Sequence, residues 1–232
     1  MQLFYQPGIP DGVDHLDPEE SKHCIKVLRK KLHDAIDIVD GKGNFYRALI
    51  KETNPKCTRF EVVEKQPETT MSYSVHLAVA PTKRQERMEW LVEKSTELGI
   101  DRISFIQCQR GERHSLRMER LRKKAISAMK QSLRARVPQI DDLMSLGDFF
   151  SLVTPETKRF LAHLDETSES LSAAATAGSS SCVLIGPEGD FTEAELAQAE
   201  AAGFKTVRLG NNRLRTETAA LTAVITFAIL NS

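Results

Sequence analysis

The spacing of apolar and polar positions changes near residue 70. Before that point, the runs AIDIVD and NFYRALIKE flank the polar turn DGKG (40–43), which is typical of a β-hairpin, and TRFEVVE is typical of a further strand. The segment DPEE (17–20) predicts the start of a helix that runs to about Lys30. Residues 65–72 are polar and form the candidate linker. Residues 1–70 are therefore predicted to form a small β-rich domain.

After residue 70, strand and helix patterns alternate. The apolar runs YSVHLAVA, RISFIQC, RFLAHL, CVLIG and TVRLG are typical of buried strands. Between the first two, KRQERMEWLVEKSTELG carries apolar residues at helical spacing and ends at Gly99. A second, basic helix is predicted over about 116–136, before Pro138. This alternation predicts an α/β domain over residues 71–232, with a mainly parallel sheet and helices on its faces.

Composition narrows the class of protein. The 232 residues are 41% hydrophobic, which is enough to bury a core. The N-terminus has no basic segment followed by an apolar one, and no apolar run approaches the roughly 20 residues of a membrane helix. We therefore predict a cytoplasmic protein with no membrane partner. The four cysteines lie tens of residues apart without a C-x-x-C pair, so neither a metal site nor a disulfide framework is predicted.

The net charge of zero conceals an uneven distribution of charge. Residues 81–140 contain 15 basic and 7 acidic side chains, whereas residues 141–200 contain 2 and 12. Within 110–136, ten Lys and Arg residues face only Glu112 and Glu119. Such a segment would attract a polyanion such as RNA. A solvated helix face is the alternative, and charge alone does not separate the two.

The first candidate ligand loop follows the apolar run CVLI in CVLIGPEGDFTEAELAQAEAAG. Thr192 and Glu195 have the spacing of a helix capping box, so the GPEG turn connects a buried strand end to a helix start. Ligands of α/β sheets bind at such strand ends. Gly186 and Gly189 would let the backbone approach a ligand closely, although a turn that needs glycine only for its dihedral angles is the alternative.

The second candidate loop, LGNNRLRTETAAL, repeats this arrangement of strand, loop and helix. Thr216 or Thr218 can cap the helix. Arg213 and Arg215 lie at the positive end of the helix dipole, which is unfavourable unless an anion is near. Two such loops predict one site for a nucleotide-like ligand and an anionic partner. The P-loop, G-x-G-x-x-G, H-E-x-x-H and G-x-S-x-G motifs are all absent, which excludes the common nucleotide, zinc-protease and serine-hydrolase signatures.

Five segments together resemble a known family over nearly the whole chain: IGPEGDFTEAE, LGNNRLRTETAAL, KRQERMEWLVEKSTELGI, KQSLRARVPQI and the N-terminal KHCIKVLRK. They are similar to the RsmE family of bacterial small-subunit (16S) ribosomal RNA uridine-N3 methyltransferases, of the SPOUT class. The resemblance implies a PUA-like barrel over residues 1–70 that helps hold RNA. It further implies a SPOUT-type α/β domain over 71–232 with a trefoil knot, S-adenosylmethionine as cofactor, a homodimer, and 16S rRNA within the small ribosomal subunit as partner.

The resemblance implies the loops that hold the cofactor, and the reaction it implies leads us to hypothesise roles for charged residues. Arg215, with Arg134 of the other subunit, would stabilise a uridine anion or grip a phosphate, and Glu217 would either accept a proton or form an ion pair with Arg215. Cofactor-binding residues would come from three loops: Leu161, Ala162, His163, Gly186, Pro187, Glu188, Gly189, Leu209, Gly210, Leu214, Arg215, Thr216 and Thr218. Contacts to RNA would come from Arg29, Lys30, Lys123, Lys124, Gln131, Arg134 and Arg136.

The chain departs from the family pattern at a few positions. Asn212 takes the place of a common Arg, and Arg213 that of an apolar residue. Lys130 stands where an acid is common, and His33 and Asp190 stand where glycine is common. Two alternatives therefore stay open at the level of sequence. One is an RNA-binding or ribosome-assembly factor without turnover, and the other is a methyltransferase that acts on a different RNA, such as tRNA.

Overall fold

A computed structural model describes residues 2–69, 71–113, 115–164 and 167–232. The chain divides into two compact units. Unit 1 comprises Met1–Thr70 together with Ile126–Val137, and unit 2 comprises Met71–Ala125 together with Pro138–Ser232. The sequence pattern predicts a change near residue 70 but gives no sign that the later segment packs with the first unit.

Unit 1 is built on a sheet with the strand order β1-β2-β3-β4. The strands are β1 (Leu3–Tyr5), β2 (Ala35–Val39), β3 (Asn44–Glu52) and β4 (Arg59–Pro67). Strands β2 and β3 form the antiparallel hairpin predicted around residues 40–43, and β4 is the predicted third strand. Strand β4 continues to Pro67, so the proposed linker 65–72 was placed too early.

The helix of unit 1 is shorter than predicted. Helix α1 spans Pro18–Lys22, and the carboxylate of Asp17 caps it by accepting a hydrogen bond of 2.7 Å from the Glu20 amide. A π-helical turn, His23–Val27, follows and ends before the expected Lys30. The chain leaves this turn through Arg29, whose φ of +55° is incompatible with a continuing right-handed helix.

Unit 2 contains the predicted parallel sheet, so the α/β fold class is confirmed. In the described part of the chain the strand order is β11-β9-β10-β5-β6-β7, with β8 paired to β6, and every pairing is parallel. The strands are β5 (Val75–Val79), β6 (Arg102–Gln107), β7 (Gln139–Ile140), β8 (Met144–Ser145), β9 (Lys158–Ala162), β10 (Ser181–Ile185) and β11 (Lys205–Val207). Strands β5 and β10 lie at the centre and are buried at every position, as their uninterrupted apolar character predicts. The trefoil knot stays a prediction from the resemblance.

The remaining helices follow the predicted alternation. They are α2 (Gln85–Glu97), α3 (Met118–Gln131), α4 (Leu146–Leu152), α5 (Leu171–Ala174), α6 (Glu193–Ala201) and α7 (Thr216–Leu230). The capping box predicted for α6 is confirmed, because the Thr192 and Glu195 side chains each bond the other residue's amide. Helix α3 ends at Gln131 rather than near 136, and Leu133 has a φ of +57°. No helix in the described residues combines the length and apolar character needed to cross a bilayer.

A buried histidine couples the stability of unit 2 to pH. His76 lies on β5, and its Nε2 is 2.7 Å from Ser104 Oγ, which in turn donates a hydrogen bond to Asp141. Burial, together with the nearby Arg102 cation, lowers the pKa of His76 to about 4 from an ordinary value of 6.5. The unfolded chain binds this proton more readily than the folded chain does. The contribution of His76 to the free energy of unfolding is therefore fully present above pH 6.5 and is lost as the pH drops toward 4.

We expect the free energy of unfolding to fall by about 3 kcal/mol through His76 between pH 7 and pH 4. Urea unfolding of the wild type and of His76→Gln across this range measures the difference. The glutamine variant can keep a donor toward Ser104 but cannot take up the proton. Its curve should be flatter by that amount, and parallel curves for the two proteins would contradict the assignment.

Candidate active site

Three loops of unit 2 meet at the carboxyl ends of neighbouring strands. They follow β9, β10 and β11, which lie side by side in the order β11-β9-β10. A cavity of about 800 Å³ opens there, a size within the usual range for small-molecule sites. Among the expected cofactor residues, those that line it are Ala162, His163, Gly186, Pro187, Glu188, Leu209, Gly210, Leu214, Arg215 and Thr216.

Three of the expected cofactor residues do not line this cavity. Leu161 is buried in the core beneath the loops. Gly189 faces Arg110, which donates a 3.1 Å hydrogen bond to its carbonyl oxygen, and a Cβ at Gly189 would lie 3.2 Å from the Arg110 side chain. Thr218 lines a second cavity instead. The sequence identified the loops, but it could not show which residues within each loop face the cavity.

The GPEG loop and the LGNNRLRTE loop are fastened to each other by hydrogen bonds. Thr216 Oγ1 donates to the Gly186 carbonyl at 3.2 Å, and Arg213 Nη2 donates to the Glu188 carbonyl at 3.1 Å. Gly186 has no room for a side chain, because a Cβ would lie 2.9 Å from the Phe191 ring. Glycine is therefore needed here for close packing, beyond any requirement for a turn.

The prediction that Thr216 or Thr218 caps α7 is wrong. Arg215 is the residue at the N-cap position, and no side chain caps the helix. Thr216 directs its hydroxyl to the Gly186 carbonyl, a partner from a different strand end. The hydroxyl thus joins two loops of the cavity and leaves the first amides of α7 without a side-chain acceptor.

Arg215 and Glu217 have different surroundings from those expected. Arg215 is exposed at the cavity, and its side chain has no ion-pair or hydrogen-bond partner among the described residues. Glu217 is buried, and its Oε1 lies 3.4 Å from Nε of Arg87, not beside Arg215. The alternative in which Glu217 pairs with Arg215 is therefore wrong.

Arg87 is a residue that the sequence interpretation missed. It lies on α2, where its Nη1 donates to Glu188 Oε1 at 3.1 Å while its Nε faces Glu217. One guanidinium thus joins the GPEG loop to the first turn of α7. The segment containing Arg87 was part of the resemblance, but it was interpreted only for the apolar face that includes Met88 and Leu91.

A second cavity, of about 510 Å³, shares Arg87 with the first. Its walls are Arg84, Glu86, Arg87, Trp90, Glu217 and Thr218. Glu217 Oε2 is buried without a hydrogen-bond partner in the part of the chain that the structure describes. The two predicted residues Glu217 and Thr218 therefore belong to this second cavity.

Comparison with known proteins relates both parts of the chain to RNA methyltransferases. Residues 69–228 match the family described as RNA methyltransferase domain, and residues 16–57 match the RNA methyltransferase PUA domain. The Ribosomal RNA small subunit methyltransferase E of Mycobacterium bovis is 31% identical over 99% of this chain and 92% of its own length. The chain belongs to this methyltransferase E family. The resemblance, the enzyme class and the PUA-like assignment of the N-terminal part are confirmed.

Solved structures agree with this membership. A probable rRNA methyltransferase from Porphyromonas gingivalis has a TM-score of 0.94 at 37% identity, covering 100% of this chain and 98% of its own. Methyltransferases from Legionella pneumophila and Neisseria gonorrhoeae each have a TM-score of 0.86 at 26% identity, with the same coverage. Both of those structures contain S-adenosylmethionine.

Two positions at which the resemblance leads us to expect glycine adopt a backbone conformation that favours glycine. Asp190 has a φ of +63° and His33 a φ of +68°, values at which glycine is favoured. Aspartate tolerates this region because its short polar side chain bonds locally. Asp190 Oδ1 accepts from the Phe191 amide at 2.8 Å, and Oδ2 lies 3.1 Å from His163 Nδ1. Asp190 therefore joins the loop after β9 to the loop after β10.

The expected RNA-binding residues fall into two groups. Arg29, Gln131 and Arg136 are exposed and Arg134 is partly exposed, all in unit 1. The others are engaged within the protein: Lys30 donates to the Ala35 carbonyl, Lys123 pairs with Glu119 and Lys124 pairs with Glu93. Lys130, at a position where the resemblance leads us to expect an acid, forms an ion pair with Glu20.

Acidic side chains elsewhere in unit 2 offset the charge of the basic helix α3. Arg120 pairs with Glu89 at 3.0 Å, and Arg122 pairs with Asp142 at 3.0 Å. Together with the pair of Lys124 with Glu93, these contacts reduce the excess charge that the segment shows in sequence. The first half of α3 therefore fits the alternative of a solvated helix face.

Proposed function

We propose that this chain transfers a methyl group from S-adenosylmethionine to N3 of a uridine in 16S ribosomal RNA. The observation that carries the proposal is the cavity formed by three strand-end loops in a chain that belongs to the methyltransferase E family. Two similar structures contain this cofactor, which supports placing it in the same cavity here. Gly210 leaves backbone open to a ligand, because nothing lies within 4 Å of its Cβ position, while Leu209 and Leu214 provide apolar surface.

Bound at this cavity, S-adenosylmethionine would supply an electrophilic methyl group on a sulfonium. The protein must orient the acceptor for in-line displacement, since positioning supplies much of the rate in such reactions. Uracil N3 carries a proton that must be lost, so an acceptor and a means of stabilising the developing anion are needed. Glu217 is the acceptor in this proposal, and the exposed guanidinium of Arg215, with Arg134 of a second subunit, stabilises the anion or a flanking phosphate.

The substrate in this proposal is unpaired RNA within the small ribosomal subunit. N3 lies on the Watson–Crick edge, so the target base must be looped or flipped out of a helix. The exposed Arg29, Gln131 and Arg136 and the partly exposed Arg134 are available for RNA. Because ribosomal RNA is the substrate, the proposed location is the cytoplasm.

A homodimer completes the proposal. Helix α7 exposes two large apolar side chains four residues apart, Ile225 at 38% and Ile229 at 69%. Residues four apart on a helix share a face, and exposed apolar faces mark interaction surfaces. Thr218 lies seven residues before Ile225, about two turns earlier on this face, and lines the second cavity, which supports an active site that draws on both subunits.

The test is mass spectrometry of nucleosides from unmodified small ribosomal subunits after incubation with the protein and S-adenosylmethionine. We expect N3-methyluridine to appear. Its absence, in a reaction where cofactor binding is verified by calorimetry, would contradict the proposed acceptor. Appearance of the same nucleoside in tRNA but not in the subunit would favour the alternative substrate.

A further inference from the structure

The second cavity has the features of a site for a nucleic-acid base. It adjoins the larger cavity, because Arg87 lines both. Its wall includes one aromatic ring, Trp90, and one carboxylate, Glu217. A ligand in this space would therefore lie directly beside the loops to which the cofactor is assigned.

Glu217 provides a hydrogen-bond acceptor that the protein itself leaves unused. Its side chain is 9% exposed, and Oε2 has no hydrogen-bond partner among residues 2–69, 71–113, 115–164 and 167–232. Buried polar atoms are almost always paired, so an acceptor without a protein partner at a cavity wall has capacity for a hydrogen bond from a ligand. Arg87 holds the other oxygen, Oε1, through its Nε, and Glu188 holds Arg87 through Nη1.

Trp90 provides the second element, a flat aromatic surface. It is 42% exposed although it is the chain's one tryptophan and lies on a helix whose other large apolar residues, Met88, Leu91 and Val92, are buried. Unpaired bases bind proteins chiefly by stacking on such rings. One cavity thus combines a surface for stacking with a hydrogen-bond acceptor, and proteins use these two features to recognise unpaired bases.

We propose that this cavity binds the uracil of the acceptor nucleotide, with the Trp90 indole stacked on the ring and Glu217 Oε2 accepting the N3–H. This inference rests on the proposed function and names the residues that recognise its substrate. The acceptor distinguishes uracil from cytosine, because cytosine N3 carries no proton and would face the carboxylate with a lone pair. Glu217 is a catalytic residue in this arrangement, and Trp90 is a binding residue.

The methyl transfer breaks two bonds and forms two. The N3–H bond breaks and its proton passes to Glu217, while N3 forms a bond to the methyl carbon. The bond between that carbon and sulfur breaks, and its electron pair stays on sulfur, leaving S-adenosylhomocysteine. After the products leave, Glu217 releases the proton to water, so one proton is produced for each methyl group transferred.

The single tryptophan allows a direct binding test. Fluorescence of the wild-type protein with bound S-adenosylhomocysteine is titrated with uridine monophosphate and with cytidine monophosphate. We expect quenching by the uridine nucleotide and an apparent affinity for the cytidine nucleotide at least about tenfold weaker. Equal responses to both nucleotides, or no response to either, would overturn the proposal. Emission that changes with protein concentration but not with nucleotide would show that a second copy of the chain covers Trp90, which also overturns it.

Variants test the two roles separately. Trp90→Ala should raise the KM for 16S rRNA about tenfold without changing kcat, and Trp90→Phe should restore most of the affinity. Glu217→Gln, which keeps the size of the side chain, should lower kcat about 100-fold and make the remaining activity rise with pH, as hydroxide replaces the missing acceptor. Leu98→Ala, at the exposed end of the same helix, is the matched control and should match the wild type.

These experiments distinguish failure of the proposed uracil subsite from failure of the proposed function. If the wild type forms N3-methyluridine while Trp90→Ala keeps its KM and Glu217→Gln keeps its kcat, the subsite is wrong and the function stands. If the wild type forms no N3-methyluridine, the proposed function itself fails. Thermal melts of each variant establish folding, and the Trp90→Phe comparison keeps the test valid if the alanine variant is unstable.

Discussion

Arg215→Ala is expected to lower kcat for rRNA methylation by about 100-fold and to leave the melting temperature unchanged. Removal of a cation or donor that stabilises developing negative charge typically has an effect of this size on kcat. Stability should not change, because the Arg215 side chain is exposed and has no ion pair or hydrogen bond within the described structure. Although Arg215 occupies the N-cap position of α7, its side chain makes no capping bond that alanine would remove.

Arg213→Ala is the matched control for this prediction. Arg213 lies two residues away on the same loop, but its guanidinium donates to the Glu188 carbonyl and so holds the GPEG loop. We expect this variant to weaken S-adenosylmethionine binding, measured by calorimetry, with a smaller effect on kcat. Arg215→Lys should retain part of the activity, because it keeps the charge. Full turnover of Arg215→Ala at saturating rRNA and cofactor would remove Arg215 from the catalytic mechanism.

The sequence predicted the framework of this site because the framework depends on local patterns. The strand ends that carry the three loops follow from uninterrupted apolar runs, and the start of α6 follows from its capping box. Parallel strands bring such loops to one edge of a sheet, so the grouping of the loops follows from the fold class. The order of β9, β10 and β11 in the sheet cannot be predicted from the apolar pattern of any single strand.

The partners of individual side chains could not be predicted, because they come from distant segments. Thr216 is a good capping residue by type, yet its hydroxyl bonds the Gly186 carbonyl 30 residues earlier. Glu217 was considered as a partner of Arg215, but residues two apart on a helix do not face each other. Its actual partner, Arg87, lies on α2, far away in sequence.

Two further features of the structure, the backbone conformation at particular residues and the charge balance of α3, could not be predicted from the sequence. The resemblance leads us to expect glycine at positions 33 and 190, which contain His and Asp, and only the structure shows that their φ angles are positive. The basic helix α3 appears uncompensated in sequence, whereas Glu89 and Asp142 reach it from other elements. Local composition therefore overestimated the charge available to RNA on the first half of this helix.

Arg87→Ala is expected to lower both stability and cofactor affinity. The substitution leaves the Glu217 carboxylate buried without its cation and releases Glu188 of the GPEG loop. Removing one partner of a buried ion pair costs about 3–5 kcal/mol, and we expect about 2 kcal/mol here because the Arg87 side chain is 25% exposed. For a chain of this length, that loss corresponds to a fall in melting temperature of roughly 5 °C. Calorimetry should show weaker S-adenosylmethionine binding in the same variant.

A double substitution separates the buried charge from the lost contact. In Arg87→Ala/Glu217→Gln the carboxylate that needed the cation is gone, so the melting temperature should recover most of the loss seen in Arg87→Ala alone. Cofactor affinity should not recover, because Glu188 remains without its partner. If the melting temperature recovers in the double variant while the cofactor affinity stays low, the Arg87 guanidinium has two separate roles. It stabilises the fold through Glu217 and supports cofactor binding through Glu188. Equal melting temperatures of Arg87→Ala and the wild type would mean that solvent already screens Glu217, and Arg87 would then act only on the GPEG loop.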